Sequence, residues 1–289
     1  MGIFLKSIKT AFLLLLFFYC LVSCGKIFNE NISEELSIGK EIVSSSNKQK
    51  DNNRKIIIAS FNAMRLGEKE KNYEVMAKIL SNFDLIGIEE VMHEKGLKKL
   101  KAHLVKLTGE KWEYIISENS VGSEGYREYY GYIYRKKKFQ EARRIGFYKE
   151  KNENEFMREP YGAYFKSGNF DFVYVICHSI FGDKETQRLI EASNYVNVYE
   201  YFLKESGESD IIIAGDFNML WGREEIEMFL EASGLNTVNL KSEPTFPSWE
   251  PKKELDFILY SKNITVKKYE VIKTLLSDHL PIFIEFEIN

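Results

Sequence analysis

From Lys55 onward the chain alternates short apolar runs with polar turns, and the spacing of apolar positions changes from run to run. Nine segments read as strands: "KIIIASF", "FDLIGIE", "WEYIIS", "YYGYIYR", "YGAYFKS", "FDFVYVICHS", "DIIIAGDF", "ELDFILY" and "PIFIEFEI". Some, such as "DIIIAGDF", are apolar at successive positions, the mark of a strand buried on both faces. Four segments, 72–81, 94–107, 185–204 and 222–233, follow the helical period instead. In 185–204, Leu189, Ala192, Tyr195, Val196 and Tyr199 recur at spacings of three and four, giving one apolar stripe. Strands outnumber helices, and successive strands between 113 and 178 have no helix between them. That order predicts mixed sheets covered by helices rather than a pure βαβ winding. One domain spanning 55–289 is the simplest account.

The first 54 residues follow another pattern. "MGIFLKSIKTAFLLLLFFYCLVSC" places Lys6 and Lys9 before an apolar run from Ala11 to Val22, the layout of a secretory signal. The run is too short for a membrane-spanning helix of about 20 apolar residues. Leu21-Val22-Ser23-Cys24 resembles the bacterial lipobox, which implies removal of 1–23 and lipidation of Cys24. Residues 24–54, ending in "SSSNKQKDNNRK", are polar and read as a flexible tether. The chain is expected to be exported and held at a membrane or cell surface, outside the cytoplasm, as a monomer.

Cysteine and charge counts narrow the chemistry. Cys20 and Cys24 fall in the leader, so Cys177 is alone in the body and no internal disulfide can form. Its place in "FVYVICH" marks it as a small buried hydrophobe. Without residues 1–23 the chain keeps 38 basic against 43 acidic residues. There is thus no overall basic field for gripping nucleic acid. A polyanionic substrate would need a local site, with a metal ion to neutralise phosphate.

Five strand ends carry polar residues of a few kinds: Asn62; Glu89 and Glu90; His178; Asp216 and Asn218; and, before the last strand, Asp278 and His279. Any one alone is ordinary, because polar residues end strands everywhere. Together they hold two of the four histidines. Converging carboxylates, amides and imidazoles are the groups that hydrolysis of a phosphate ester uses. Hard oxygen donors suit Mg²⁺, a carboxylate can activate water, and imidazoles can protonate or stabilise charged oxygens.

The order "FNAMRLG", "DLIGIEEV", "REYYGYIYR", "FMREPYGAYF", "ICHS", "GDFN", "LDFIL", "SDHLPI" resembles the endonuclease/exonuclease/phosphatase superfamily, and most nearly its deoxyribonuclease I branch. "TFPSW", with Thr245 and Ser248, recurs across other branches. The resemblance implies a four-layer α/β sandwich of two mixed β-sheets flanked by helices. It implies a metal-dependent phosphodiester hydrolase cleaving DNA, with Mg²⁺ or else Mn²⁺ or Ca²⁺ as cofactor. Carried over, Glu90, Asn62 and Asp278 are placed at the metal, and Asp216 at the attacking water. Asn218 holds the phosphate. His178 pairs with Glu128 and His279 with Asp256, each carboxylate fixing an imidazole tautomer. Arg158 and Tyr126 contact substrate, the former through a phosphate oxygen and the latter through the minor groove. Glu89 stands where many relatives have Gln.

Two departures bear on substrate. Met92 replaces an Arg that the branch inserts into the minor groove, and the disulfide near "GDFN" is absent. Two other readings therefore stay open. One is the same catalyst acting on a phospholipid or inositol phosphate; the other is a non-catalytic binding lipoprotein. His93 and His103 read as helix-surface residues outside the motifs.

Overall fold

Two β-sheets lie face to face, and the apolar runs form their inner strands. The computed structural model describes residues 55–181, 185–219, 224–238, 245 and 254–287, all in the unit Gln49–Asn289. The expected signal 1–23, the tether 24–54 with Cys24, and Ser248 lie outside the described residues.

In chain order the elements are β1 (Lys55–Leu66), α1 (Tyr73–Leu80), β2 (Leu85–Val91), α2 (Glu94–Thr108), β3 (Trp112–Ile116), β4 (Val121–Ser123) and β5 (Tyr126–Arg135). Then come β6 (Glu141–Phe147), β7 (Tyr161–Ser167), β8 (Phe170–His178), α3 (Glu185–Ser206), β9 (Ile211–Asp216) and α4 (Glu224–Ser233). The chain closes with β10 (Asn236–Thr237), β11 (Asp256–Tyr260), β12 (Val266–Val271) and β13 (Ile282–Glu287). The first sheet runs β12-β13-β1-β2-β5-β3, with β4 paired to β5; the second runs β10-β11-β9-β8-β7-β6. Both are mixed, since β1–β2 and β8–β9 are parallel and their other pairings antiparallel. Helices α1 and α2 pack together, with α2 on the first sheet; α3 and α4 pack together, with α3 on the second. This is the expected four-layer sandwich.

Local chemistry sets the element ends. The Asn72 side chain caps α1 by accepting from the Val75 N–H at 3.1 Å. Gly109 ends α2 in the left-handed region at φ 68°. Between the sheets the core is aromatic and cross-linked by phenols. The Tyr174 hydroxyl donates across the sandwich to the Ala59 carbonyl at 2.9 Å. That of Tyr132 lies 2.6 Å and 2.7 Å from the carbonyls of Tyr161 and Tyr174. Buried phenols with partnered hydroxyls fix the relative position of two sheets better than apolar contact alone, because hydrogen bonds are directional. Among the described residues no helix is long and apolar enough to cross a membrane.

Candidate active site

Register places three of the expected residues side by side. His178 ends β8 opposite Asp216 of β9, and Asp216 lies opposite Asp256 of β11. Neighbours in register project to the same face of a sheet, so the three side chains form a row. Gly215 precedes the central one at φ 150°, and a Cβ there would come within 1.9 Å of the Cys177 carbonyl oxygen. Strand packing therefore demands the glycine. Cys177 is fully buried, as its apolar run predicts.

The first sheet supplies the facing wall. Asn62 of β1 pairs with Glu89 of β2, and the register then shifts before resuming at Leu66 and Val91. The extra residues of β1 form a bulge in which Met64 and Arg65 take φ of 44° and 62°; across from them Glu90 takes 54°. Non-glycine residues held in this region store strain, which clusters at functional sites. Here it turns the Glu90 carboxylate into the cleft. Oε2 accepts from the Arg65 backbone N–H at 3.0 Å and the Tyr126 hydroxyl at 2.6 Å, and Oε1 accepts from Asn62 Nδ2 at 3.2 Å.

Two carboxylate–imidazole pairs converge on one oxygen. Glu128 Oε1 lies 2.8 Å from His178 Nδ1, and both Asp256 oxygens lie 3.0–3.1 Å from His279 Nδ1. The outward nitrogens meet at Asp216: His178 Nε2 is 3.5 Å and His279 Nε2 3.4 Å from its Oδ2. Its Oδ1 accepts from the Asn218 N–H at 2.9 Å. Glu128 is completely buried, so it is no ordinary surface acid on an alternating strand. Burial pulls the His279 pKa down, but Asp256 and Asp216 outweigh it and raise the imidazole to about 10. His178 is likewise lowered by burial, but Glu128 and Asp216 together outweigh it and leave the imidazole above its ordinary value; Arg158 works against that rise. Burial pushes Asp216 up, partly offset by the two imidazoles.

The remaining expected residues surround this centre. The Arg158 Nε lies 3.4 Å from Glu128 Oε2, and its Nη1 donates to the Ser179 carbonyl at 3.3 Å. Asn218, at φ 50°, donates from Nδ2 to the same carbonyl at 2.9 Å. The guanidinium carbons of Arg65 and Arg158 lie 5.2 Å and 5.7 Å from the Tyr126 ring centroid. Asp278 sits beside Ser277, whose hydroxyl lies 3.1 Å from its Oδ1 and 2.8 Å from the Asn62 carbonyl. The Asn62 side chain presents its nitrogen to Glu90 and, at 3.5 Å, to Asp216, because its oxygen accepts from the Met64 N–H. It is placed as a donor between two carboxylates rather than as an oxygen ligand.

Among the described residues, Asp216, Asp256 and His279 offer ligand atoms within 4.8 Å of one another. Asp256 already turns both oxygens to His279. Acceptors available to a hard cation include the Asp278 carboxylate and the Glu90 carboxylate, whose hydrogen-bond donors are all neutral.

A family model described as endonuclease-reverse transcriptase matches residues 174–283, which hold His178, Asp216, Asp256 and His279. A deoxyribonuclease of Thioalkalivibrio sp. (strain K90mix) is 27% identical over 258 residues, covering 80% of this chain and 71% of its own length. A solved endonuclease/exonuclease/phosphatase from Bacteroides vulgatus superposes with a TM-score of 0.62 at 20% identity, over 81% of this chain and 99% of that one. The fold is that of the solved endonuclease/exonuclease/phosphatase structures, and the family model covers the part of the chain that carries four of the site residues. The deoxyribonuclease-1-like 1 protein of Mus musculus is 28% identical over 169 residues, and the match spans 51% of that relative's length.

Other residues support the site from behind. Thr245 is buried, and its hydroxyl accepts from the N–H groups of Leu255 and Asp256 at 3.1 Å and 3.4 Å, while its carbonyl accepts from Leu280 at 2.7 Å. It braces the Asp256–His279 pair from behind. Glu89 is fully buried, accepts from the Ser60 hydroxyl at 2.8 Å, and is raised well above the usual carboxylate range by burial and by Asp256. His103 stacks on Tyr73 at 5.8 Å and so has a partner on the helix surface.

Proposed function

We propose that the chain is a divalent-metal-dependent endodeoxyribonuclease, exported and membrane-anchored through Cys24. One observation carries the catalytic part of that reading. Two buried imidazoles, each backed by a carboxylate, aim their Nε2 atoms at the same oxygen of Asp216, 3.5 Å and 3.4 Å away.

The chemistry follows from the protonation states. Glu128 and Asp256 hold the Nδ1 protons, so both Nε2 atoms face the reacting phosphate. His279 is an imidazolium at neutral pH and stabilises negative charge building on the phosphate oxygens. Burial makes Asp216 a stronger base than an ordinary carboxylate. Its Oδ2 takes a proton from water as the water oxygen attacks phosphorus. The phosphorus–oxygen bond to the leaving group breaks, and an imidazolium Nε2–H supplies the proton that the leaving oxygen needs. Arg158 and the Asn62 and Asn218 amides hold the non-bridging oxygens. Glu90, with Asp216 beside it, would hold Mg²⁺, whose chemistry there is neutralisation of phosphate charge.

Support for DNA comes from the deoxyribonuclease relatives and from one groove. Lys69, Lys71, Lys95 and Lys99 outnumber Glu68 and Glu70 in a groove of about 510 Å³ that begins at Gly67, two residues beyond Arg65. None of the four lysines forms an ion pair among the described residues, in a chain of net charge −3. Unpaired lysines beside a hydrolytic centre suit the further phosphates of a polymer.

A second reading rests on apolar exposure. Phe181, 75% exposed, and Leu275, 55% exposed, lie within four residues of His178 and His279 respectively. Such groups suit a lipid interface and favour a phospholipid diester.

Plasmid nicking by the purified protein, with Mg²⁺ or chelator, separates these readings. Mg²⁺-dependent nicking that disappears in Asp216→Ala is expected. Intact plasmid beside hydrolysis of phospholipid vesicles would transfer the function to the second reading, and nicking by Asp216→Ala would refute the catalytic roles.

A further inference from the structure

A carboxylate on α3, outside every motif, ties together two loops of the site. Glu191 is 2% exposed. Its Oε1 accepts from the Met157 N–H and its Oε2 from the Ile180 N–H, each at 2.8 Å. Met157 immediately precedes Arg158, and Ile180 follows His178 and Ser179. One turn further along α3, the Tyr195 hydroxyl lies 2.5 Å from that of Ser179. The carbonyl of Ser179 in turn accepts from both Arg158 and Asn218.

The choice of residue is informative. The same stretch of α3 otherwise buries Ala192, Tyr195 and Val198. Burying a carboxylate costs more than burying any of these unless each oxygen is bonded. Both are, by N–H groups from separate loops. A carboxylate gives each of these two separated donors its own oxygen, whereas a Gln would turn its NH₂ towards one of them. Core packing would be met by Leu, so the acid is there for the loops.

We infer that Glu191 is a positioning residue: it sets the distance between the Arg158 segment and the segment after His178. That distance keeps Arg158 against Glu128, and Glu128 against the His178 imidazole. The inference rests on the hydrolytic reading of this site, and it adds an outer layer that reaches the phosphate only through Arg158 and His178.

The test is a double-mutant cycle with Glu191→Gln and Arg158→Ala in the full chain, read on plasmid DNA and on bis(p-nitrophenyl) phosphate. Glu191→Gln is expected to lower kcat about tenfold, the scale of a sub-ångström misplacement. In the Arg158→Ala background it should cost less than about twofold more, because the residue it acts through is gone. Independent, multiplicative losses would overturn the inference, as would a lowered melting temperature with kcat unchanged at 25 °C. A readout free of activity is the His178 imidazole resonance by NMR. It should move in the same direction in Glu191→Gln and Arg158→Ala, and an unmoved resonance overturns the inference even if no diester is cleaved. Should Glu191→Gln fail to fold, Glu191→Asp, which keeps both acceptors on a shorter stem, enters the same cycle with a smaller expected loss. If wild type leaves both diesters intact, the hydrolytic reading falls, and the resonance still reports on Glu191.

Discussion

The two carboxylate–imidazole pairs look alike and differ in their neighbours. Asp256 faces His279 with both oxygens, at 3.0–3.1 Å, and among the described residues no ion pair links it to Lys or Arg. Glu128 gives one oxygen to His178 at 2.8 Å, while Arg158 stands 3.4 Å from the other. A guanidinium shares the second carboxylate and opposes a positive charge on its imidazole. Hence His279 is driven to about 10, whereas His178 rises against an opposing cation. The lesson is that a repeated motif does not imply a repeated role: a third residue decides how firmly each imidazole holds its proton.

That contrast can be attacked in order of expected effect. Asp256→Asn removes the anion that holds His279 charged, and kcat should fall by about 10²–10⁴-fold, as for loss of a proton-transfer partner. Glu128→Gln should cost less, since Arg158 would remain to order the pocket. Steady-state kinetics on both variants checks the ranking, and equal losses would erase the contrast. Arg158→Ala is next. Removing the cation that opposes His178⁺ should move the His178 limb of the kcat pH profile upward and leave the His279 limb in place. Its effect on rate should be roughly tenfold, the worth of a charge-assisted contact to phosphate.

The smallest effect is on stability. His279 has a folded pKa of about 10, above its unfolded value, so the folded state binds its proton more tightly. The stabilisation is complete below the ordinary imidazole value of about 6.5 and is lost as pH rises through about 10. Chemical denaturation between pH 6.5 and 10 should show stability falling in the wild type and a flatter profile in Asp256→Asn. Parallel profiles would mean that Asp256 does not hold the proton.

How much of this could be seen in the sequence depends on what kind of signal each residue leaves. Inner strands such as β9 and β13 are apolar because both faces are buried, and they announce themselves. The strands that pattern did not show are β4, β6, β10 and β12, and each lies at an edge or off the main path of its sheet. "EARRIGF" and "VKKYEV" carry charge because an edge must discourage pairing with other chains, which also hides it from a search for apolar runs. The same division holds at the site. Asp216, His178 and His279 act through their own side chains at strand ends and leave short motifs. Glu191 acts on backbone groups of two loops far away in sequence, so no spacing marks it, while "TFPSW" and "SDHLPI" contain Thr245 and Ser277 without showing which backbone groups they hold. The amide of Asn62 turned out to face two carboxylates because its oxygen is occupied by Met64, a preference set by a bulge that composition does not reveal.

The sheets contribute to the pairs in a crossed fashion. Glu128 comes from the first sheet and its imidazole from the second; Asp256 comes from the second, and His279 from the segment leading into β13 of the first. Neither half of the sandwich contains a complete pair. Separating the layers would disarm both imidazoles in one event, well before strand pairing is lost. A chain still being synthesised or translocated holds every reactive side chain yet cannot assemble them. On the hydrolytic reading, an exported enzyme would thus be harmless to the cell that makes it until its two sheets have closed.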